Sequence, residues 1–193
     1  MAKRRVDKRW NDLRAVLVSQ GSAELVDLVR DLHDLSQENR DFLNTRYLKS
    51  EDRLGTYKET IDESLYPDVY KNKPIRISAA KKALSQYAKA TNDEAGTLEL
   101  MVYFVERGTQ CTADLGDIDE AFYSAMESMF ERVIKTLKRS APEVRARFLP
   151  RLTAIRDAAD GIGWGYYDYL CDAVEQAFPS ADADEEKSAT LSS

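Results

Sequence analysis

The residues between positions 71 and 82 set up a chemistry that the rest of this chain does not. Lys71, Lys73, Arg76, Lys81 and Lys82, with Lys89 further on, fall in the stretch 69–92, which holds no acidic residue in a protein of net charge −6. Three of the cations precede a helix that the pattern starts near Ser78. The first amides of a helix have no partner inside it, and beside Lys and Arg they make a seat for an anion. Tyr70 and Tyr87 flank the patch and offer rings for base stacking. The chemistry implied is contact with a phosphate, a nucleotide or a nucleic acid, assisted by Lys3, Arg4 and Arg5. The plainer account is a solvated face paired with acidic neighbours on other helices.

A second constellation is Asp114, Asp117, Asp119 and Glu120. Clustered carboxylates hold Mg²⁺ or Ca²⁺, or act as acid and base in hydrolysis. Their spacing does not match the calcium-binding loop of helix-loop-helix proteins. Three of the four are also explained as a helix start, where carboxylates meet the positive end of the dipole. Asp114 is left over by that explanation. The run Gly161-Ile162-Gly163-Trp164-Gly165 permits positive φ angles and close backbone approach. It has no preceding strand, so it is no dinucleotide fingerprint. We expect Trp164 to plug the core, with the turn as one wall of a pocket as the alternative. His33 lies at the edge of an apolar stripe without a nucleophile motif, and Cys111 has only Arg107 nearby to lower its pKa. Several of the tyrosines, Tyr103 and Tyr123 among them, fall inside helices as core or boundary residues.

The elements that must position these groups read as helices almost throughout. Apolar residues recur at three-four spacing: Trp10 to Leu17, ending near Gly21; then Leu25 to Leu32, capped by Ser22; then Phe42 to Leu48, capped by Ser36. Leu54 to Leu65 follows and stops at Tyr66-Pro67. After an irregular stretch, 66–76, comes a helix through Ala79 to Tyr87. Thr91 and Glu94 suggest a capping box for a nearly all-apolar, central helix ending at Gly108, with a loop over 109–117. Phe122 to Leu137 is the clearest amphipathic helix. Pro142 opens the next, where Pro150 should bend or shorten it. The last covers Tyr166 to about Phe178. The expected fold is all-α, about nine helices in an irregular antiparallel bundle or a short stack of helix pairs.

Three of these segments together resemble a bacterial family of small helical proteins designated only as a domain of unknown function. They are Ile75-Arg76-Ile77-Ser78-Ala79-Ala80-Lys81-Lys82-Ala83, Gly116-Asp117-Ile118-Asp119-Glu120-Ala121-Phe122-Tyr123 and Gly161-Ile162-Gly163-Trp164-Gly165-Tyr166-Tyr167-Asp168. The resemblance covers roughly residues 10–178. It implies a bacterial, helical, cytosolic protein and transfers no activity.

Composition sets the remaining bounds. At 193 residues, 43% hydrophobic and 32% charged, the chain can bury one core. We read a basic extension over 1–9 (net +4), one helical domain over 10–178 (net −7) and an acidic, disordered tail over 179–193 (net −3). An acidic body disfavours nonspecific duplex binding. No apolar run reaches bilayer length and the start is no secretory signal, so no membrane partner is expected. Cys111 and Cys171 lack a CxxC spacing, which fits free thiols in a reducing cytoplasm, and one histidine makes a structural zinc site improbable. No catalytic set and no cofactor motif is visible. The readings rank as follows: a non-catalytic interaction module for a protein partner or regulatory anion, then a nucleic-acid or nucleotide binder using the basic patch, then a metal-assisted hydrolase using the 114–120 carboxylates.

Overall fold

The computed structural model describes residues 8–48, 53–68 and 73–178. Among the described residues there are nine α-helices and no strand, so the fold is all-α: α1 (Lys8–Ser19), α2 (Ser22–Leu35), α3 (Gln37–Tyr47), α4 (Arg53–Leu65), α5 (Ile77–Thr91), α6 (Glu94–Leu115), α7 (Glu120–Arg139), α8 (Pro142–Ala158) and α9 (Tyr166–Ala177). Contacts divide the span read as one domain into two units, residues 1–49 and 50–193. The tail over 179–193 and residues 1–7 of the basic extension lie outside the described residues.

In the first unit, α2 packs against α3. Gly21 rather than Ser22 takes the N-cap of α2, its amide donating to the Glu24 carboxylate at 2.8 Å. Ser36 caps α3 as its type and position suggest, accepting from the Asn39 amide at 3.1 Å. Neither α2 nor α3 contains a buried residue.

The second unit has an apolar core. Contacts along the helices give their directions. Lys58 and Asp62 of α4, and Tyr66 just past its end, meet Glu99, Arg107 and Asp114 of α6 in the same order, so these two helices run parallel. Tyr57 meets Tyr87 while the Ser64 carbonyl accepts from the Arg76 amide, which makes α5 antiparallel to α4. Thr112 bonds Tyr123 across a short connection, so α7 returns along α6. Arg147 and Arg151 run along Glu99 and Glu106, placing α8 parallel to α6. Tyr166 and Tyr169 of α9 meet Tyr123 and Glu127 of α7 in the same order. The result is a six-helix alternation around α6, which touches α4, α5, α7 and α8.

Helix α6 earns its central place through Leu98, Leu100, Val102, Phe104 and Val105, all buried. It does not stop at Gly108. That glycine lies buried inside the helix, where a Cβ would run into Met126 Sδ of α7. The residue that looks like a terminator is a close-approach site, and the expected loop over 109–117 is helix as far as Leu115. The expected Thr91–Glu94 cap is likewise displaced. Asn92 turns left-handed (φ 51°) and Asp93 caps α6, accepting from the Gly96 amide at 2.9 Å. Pro142 opens α8 as its fixed φ suits, and α8 continues through Pro150 to Ala158.

Candidate functional site

The basic patch flanks the start of α5. Lys73, Arg76, Ser78, Lys81 and Lys82 are all exposed there. Arg76 occupies the N-cap and no side chain caps the helix. Lys71, Tyr70, Lys3, Arg4 and Arg5 lie outside the described residues. Tyr87 is not a stacking platform: it is 2% exposed, edge-on to Tyr57 at 5.3 Å, and its hydroxyl donates to Asp93 at 2.7 Å.

The carboxylates over 114–120 each find separate work. Asp114 accepts from the Tyr66 hydroxyl at 2.7 Å and from Gln110 at 2.8 Å. The Tyr66 bond is the chief reason its pKa lies below the ordinary carboxylate range. Asp117 accepts from the Tyr123 hydroxyl at 3.0 Å. Asp119 caps α7, accepting from the Phe122 amide at 2.8 Å, and Glu120 stands in the first turn. Among the described residues no three acidic, histidine or cysteine side chains gather as a metal site. A small cleft of about 330 Å³ lies against this end, lined in part by Thr112, Gly116, Asp117, Asp160 and Gly161.

The glycine-rich turn closes over Asp117. A Cβ at Gly163 would stand 3.0 Å from the Asp117 Oδ2, so only glycine fits without displacement. Trp164 is not a core plug. It is 59% exposed, sits at φ 63°, and stacks on Tyr123 with centroids 6.3 Å apart. The Tyr123 hydroxyl itself is paired with that of Thr112 at 2.6 Å. Cys111 is fully buried in α6, and burial pushes its thiol up to about 11. His33 bonds its neighbour Asp34 at 2.9 Å, and among the described residues no nucleophile stands beside it.

Two features escaped the sequence reading. The first is an ion cluster along α6. Glu99, 9% exposed in an otherwise apolar stretch, accepts from Lys58 at 2.8 Å and Arg151 at 2.6 Å. Arg151 also grips both oxygens of Glu106 at 2.7 Å, a fork geometry that lysine cannot make. Burial pushes the Glu99 carboxyl up, but the bonds and charges of Lys58 and Arg151 outweigh it, and its pKa ends below the ordinary value. Arg107 pairs with Asp62 and lies over the Tyr66 ring at 4.7 Å. Every buried side-chain polar atom among the described residues has a partner. This cluster is a clamp joining α4 and α8 to α6.

The second is a groove of about 930 Å³ at the opposite end of the unit, where α5 and α7 finish and α6 and α8 begin. Ala88, Leu98, Met101, Ala141 and Val144 give it an apolar floor. One wall is the outer face of α7, where Arg132, Lys135 and Arg139 stand one turn apart. The facing wall is the start of α6, with Asp93, Glu94 and Thr97. Lys135 pairs with Glu131 at 2.7 Å. Arg132 reaches only Met129 Sδ, and Arg139 makes no ion pair, so two guanidinium groups remain without a carboxylate among the described residues. Asp93 is already held by the Gly96 amide and the Tyr87 hydroxyl, which keep its pKa below the usual range. The α7 cations were legible as the polar half of a helix whose apolar half dominated its pattern.

No helix among the described residues is long and apolar enough to cross a membrane. Comparison with family models, curated proteins and solved structures finds no match to this chain.

Proposed function

We propose that this protein is a non-catalytic interaction module whose groove at the α7 C-terminal end takes a short acidic-apolar peptide segment of a protein partner. The observation that carries the reading is the pair Arg132 and Arg139, two guanidiniums without carboxylate partners among the described residues, above a floor that includes Leu98, Met101 and Val144. Guanidinium forks suit carboxylates, and an apolar floor rewards a side chain inserted between them. The facing acidic wall, with Glu94, repels an extended polyanion and favours a short segment whose charge lies on one side. Helix frames supply rigid walls for such recognition. The groove contains no nucleophile–base pair, which is the ground for reading it as a binding surface.

The test is fluorescence anisotropy with a labelled peptide bearing a central leucine flanked by glutamates. We expect saturable binding that weakens with salt, and a loss of roughly tenfold or more in Arg132→Glu/Arg139→Glu. Equal binding by that variant and the parent chain refutes the reading.

A second reading keeps the α5 start as an anion site. It is favoured by the uncapped N-terminus under Arg76 and the exposure of Lys73 and Lys81. A labelled single-stranded oligonucleotide distinguishes the two. Binding lost on Lys81→Glu/Lys82→Glu supports the α5 site; binding unaffected by that change excludes it.

A further inference from the structure

The first unit poses a problem in physical chemistry. Residues 9–48 include no buried side chain, yet they carry a long series of large apolar ones. Trp10, Leu13 and Val16 of α1 are 50–56% exposed, and Leu28, Val29 and Leu32 form a stripe on α2 that is 39–45% exposed. Helices of 11 to 14 residues do not persist in water on propensity alone; they need an apolar surface to lie against. An arm of about 40 residues is also at the size where a single chain rarely closes a core unaided. An exposed apolar patch of this extent marks an association surface.

Charge identifies the occupant. Helix α1 carries Lys8, Arg9 and Arg14 against Asp12, net +2. Helix α2 carries Glu24, Asp27, Asp31 and Asp34 against Arg30, net −3 with His33 neutral. Helix α3 balances Glu38 and Asp41 with Arg40 and Arg46. The arm therefore contains both halves of a complementary pair. We propose that the α1–α3 unit is covered by a second copy of this chain, α1 of each protomer lying on the α2–α3 hairpin of the other. A twofold arrangement makes both contacts at once, buries both stripes and sets basic α1 beside acidic α2 twice. This does not depend on what occupies the groove near Arg139.

Sedimentation velocity on the full chain reads the outcome first. A species of about twice 21.9 kDa at micromolar concentration is expected, and a monomer at every concentration overturns the proposal. Charge exchange then distinguishes a second copy from an arm folded on itself. Arg9→Glu/Arg14→Glu alone should weaken the dimer roughly tenfold or more, as should Asp27→Lys/Asp31→Lys alone. An equimolar mixture of the two variants should recover the dimer, because each reversed α1 then meets a reversed α2. Two variants that both stay monomeric when mixed place α1 on its own α2 and sink the twofold arrangement. Variants that remain dimeric alone remove charge as the determinant and sink it as well.

Discussion

Glu99→Gln is the sharpest probe of what holds the second unit together. The substitution keeps the shape and one acceptor but leaves Lys58 and Arg151 facing a neutral amide. Removing one partner of a buried ion pair costs about 3–5 kcal/mol. The Glu99 side chain is 11% exposed, but Arg151 and Lys58 are 28% and 32% exposed and water can resolvate them. Arg151 also keeps its fork on Glu106. The expected loss is therefore below that range, about 2 kcal/mol, or a fall of about 4–8 °C in Tm for a domain of this size. Urea unfolding followed by far-ultraviolet circular dichroism measures it. The pH dependence supplies an independent check. A carboxyl whose pKa is lowered on folding contributes stability that is complete above the unfolded value, about 4.3, and is lost as pH falls through the folded value. The wild type should lose stability on acidification below about pH 5 more steeply than the Gln variant. A loss under about 0.5 kcal/mol with parallel pH curves would show that the cluster behaves as a screened surface pair, and the clamp argument fails.

Other outcomes follow from single contacts. Gly108→Ala should destabilise by about 1–2 kcal/mol despite the better helix propensity of alanine, because the new methyl displaces Met126; equal or higher stability contradicts the close α6–α7 approach. Asp93→Ala removes a cap on the Gly96 amide and should cost about 1 kcal/mol by thermal unfolding, with no change meaning that the cap is elsewhere. Cys171, half-buried, should react with a thiol reagent at neutral pH well before Cys111, which waits for unfolding; the reverse order would contradict the burial of α6.

The sequence made the helices legible because burial imposes a three-four period that survives in the residue types, as in Phe122 to Leu137. Local chemistry located Asp119, Ser36 and Pro142 at their helix starts. Gly108 misled because glycine both ends helices and lets them touch, and only the partner Met126 tells which applies. The α6 start misled because Thr91, Asp93 and Glu94 all carry capping chemistry; the left-handed turn at Asn92 decides among them. Trp164 looked like core by its size, but its place in a strained, glycine-flanked turn sets it outside against Tyr123. The ion cluster joins residues 41 to 52 positions apart, and no local pattern announces which faces of α4, α6 and α8 meet. The groove is of the same kind. Its basic wall is visible in α7, while its floor exists only once α5 to α8 are assembled.

The most direct measurement is amide chemical-shift mapping of the full chain as the leucine–glutamate peptide is added. The account predicts that the largest shifts fall on residues 93–101 at the start of α6 and on 132–144 from the end of α7 into α8, the walls and floor of the groove. Shifts confined to residues 73–82 at the α5 start, or spread evenly over the surface, would contradict it.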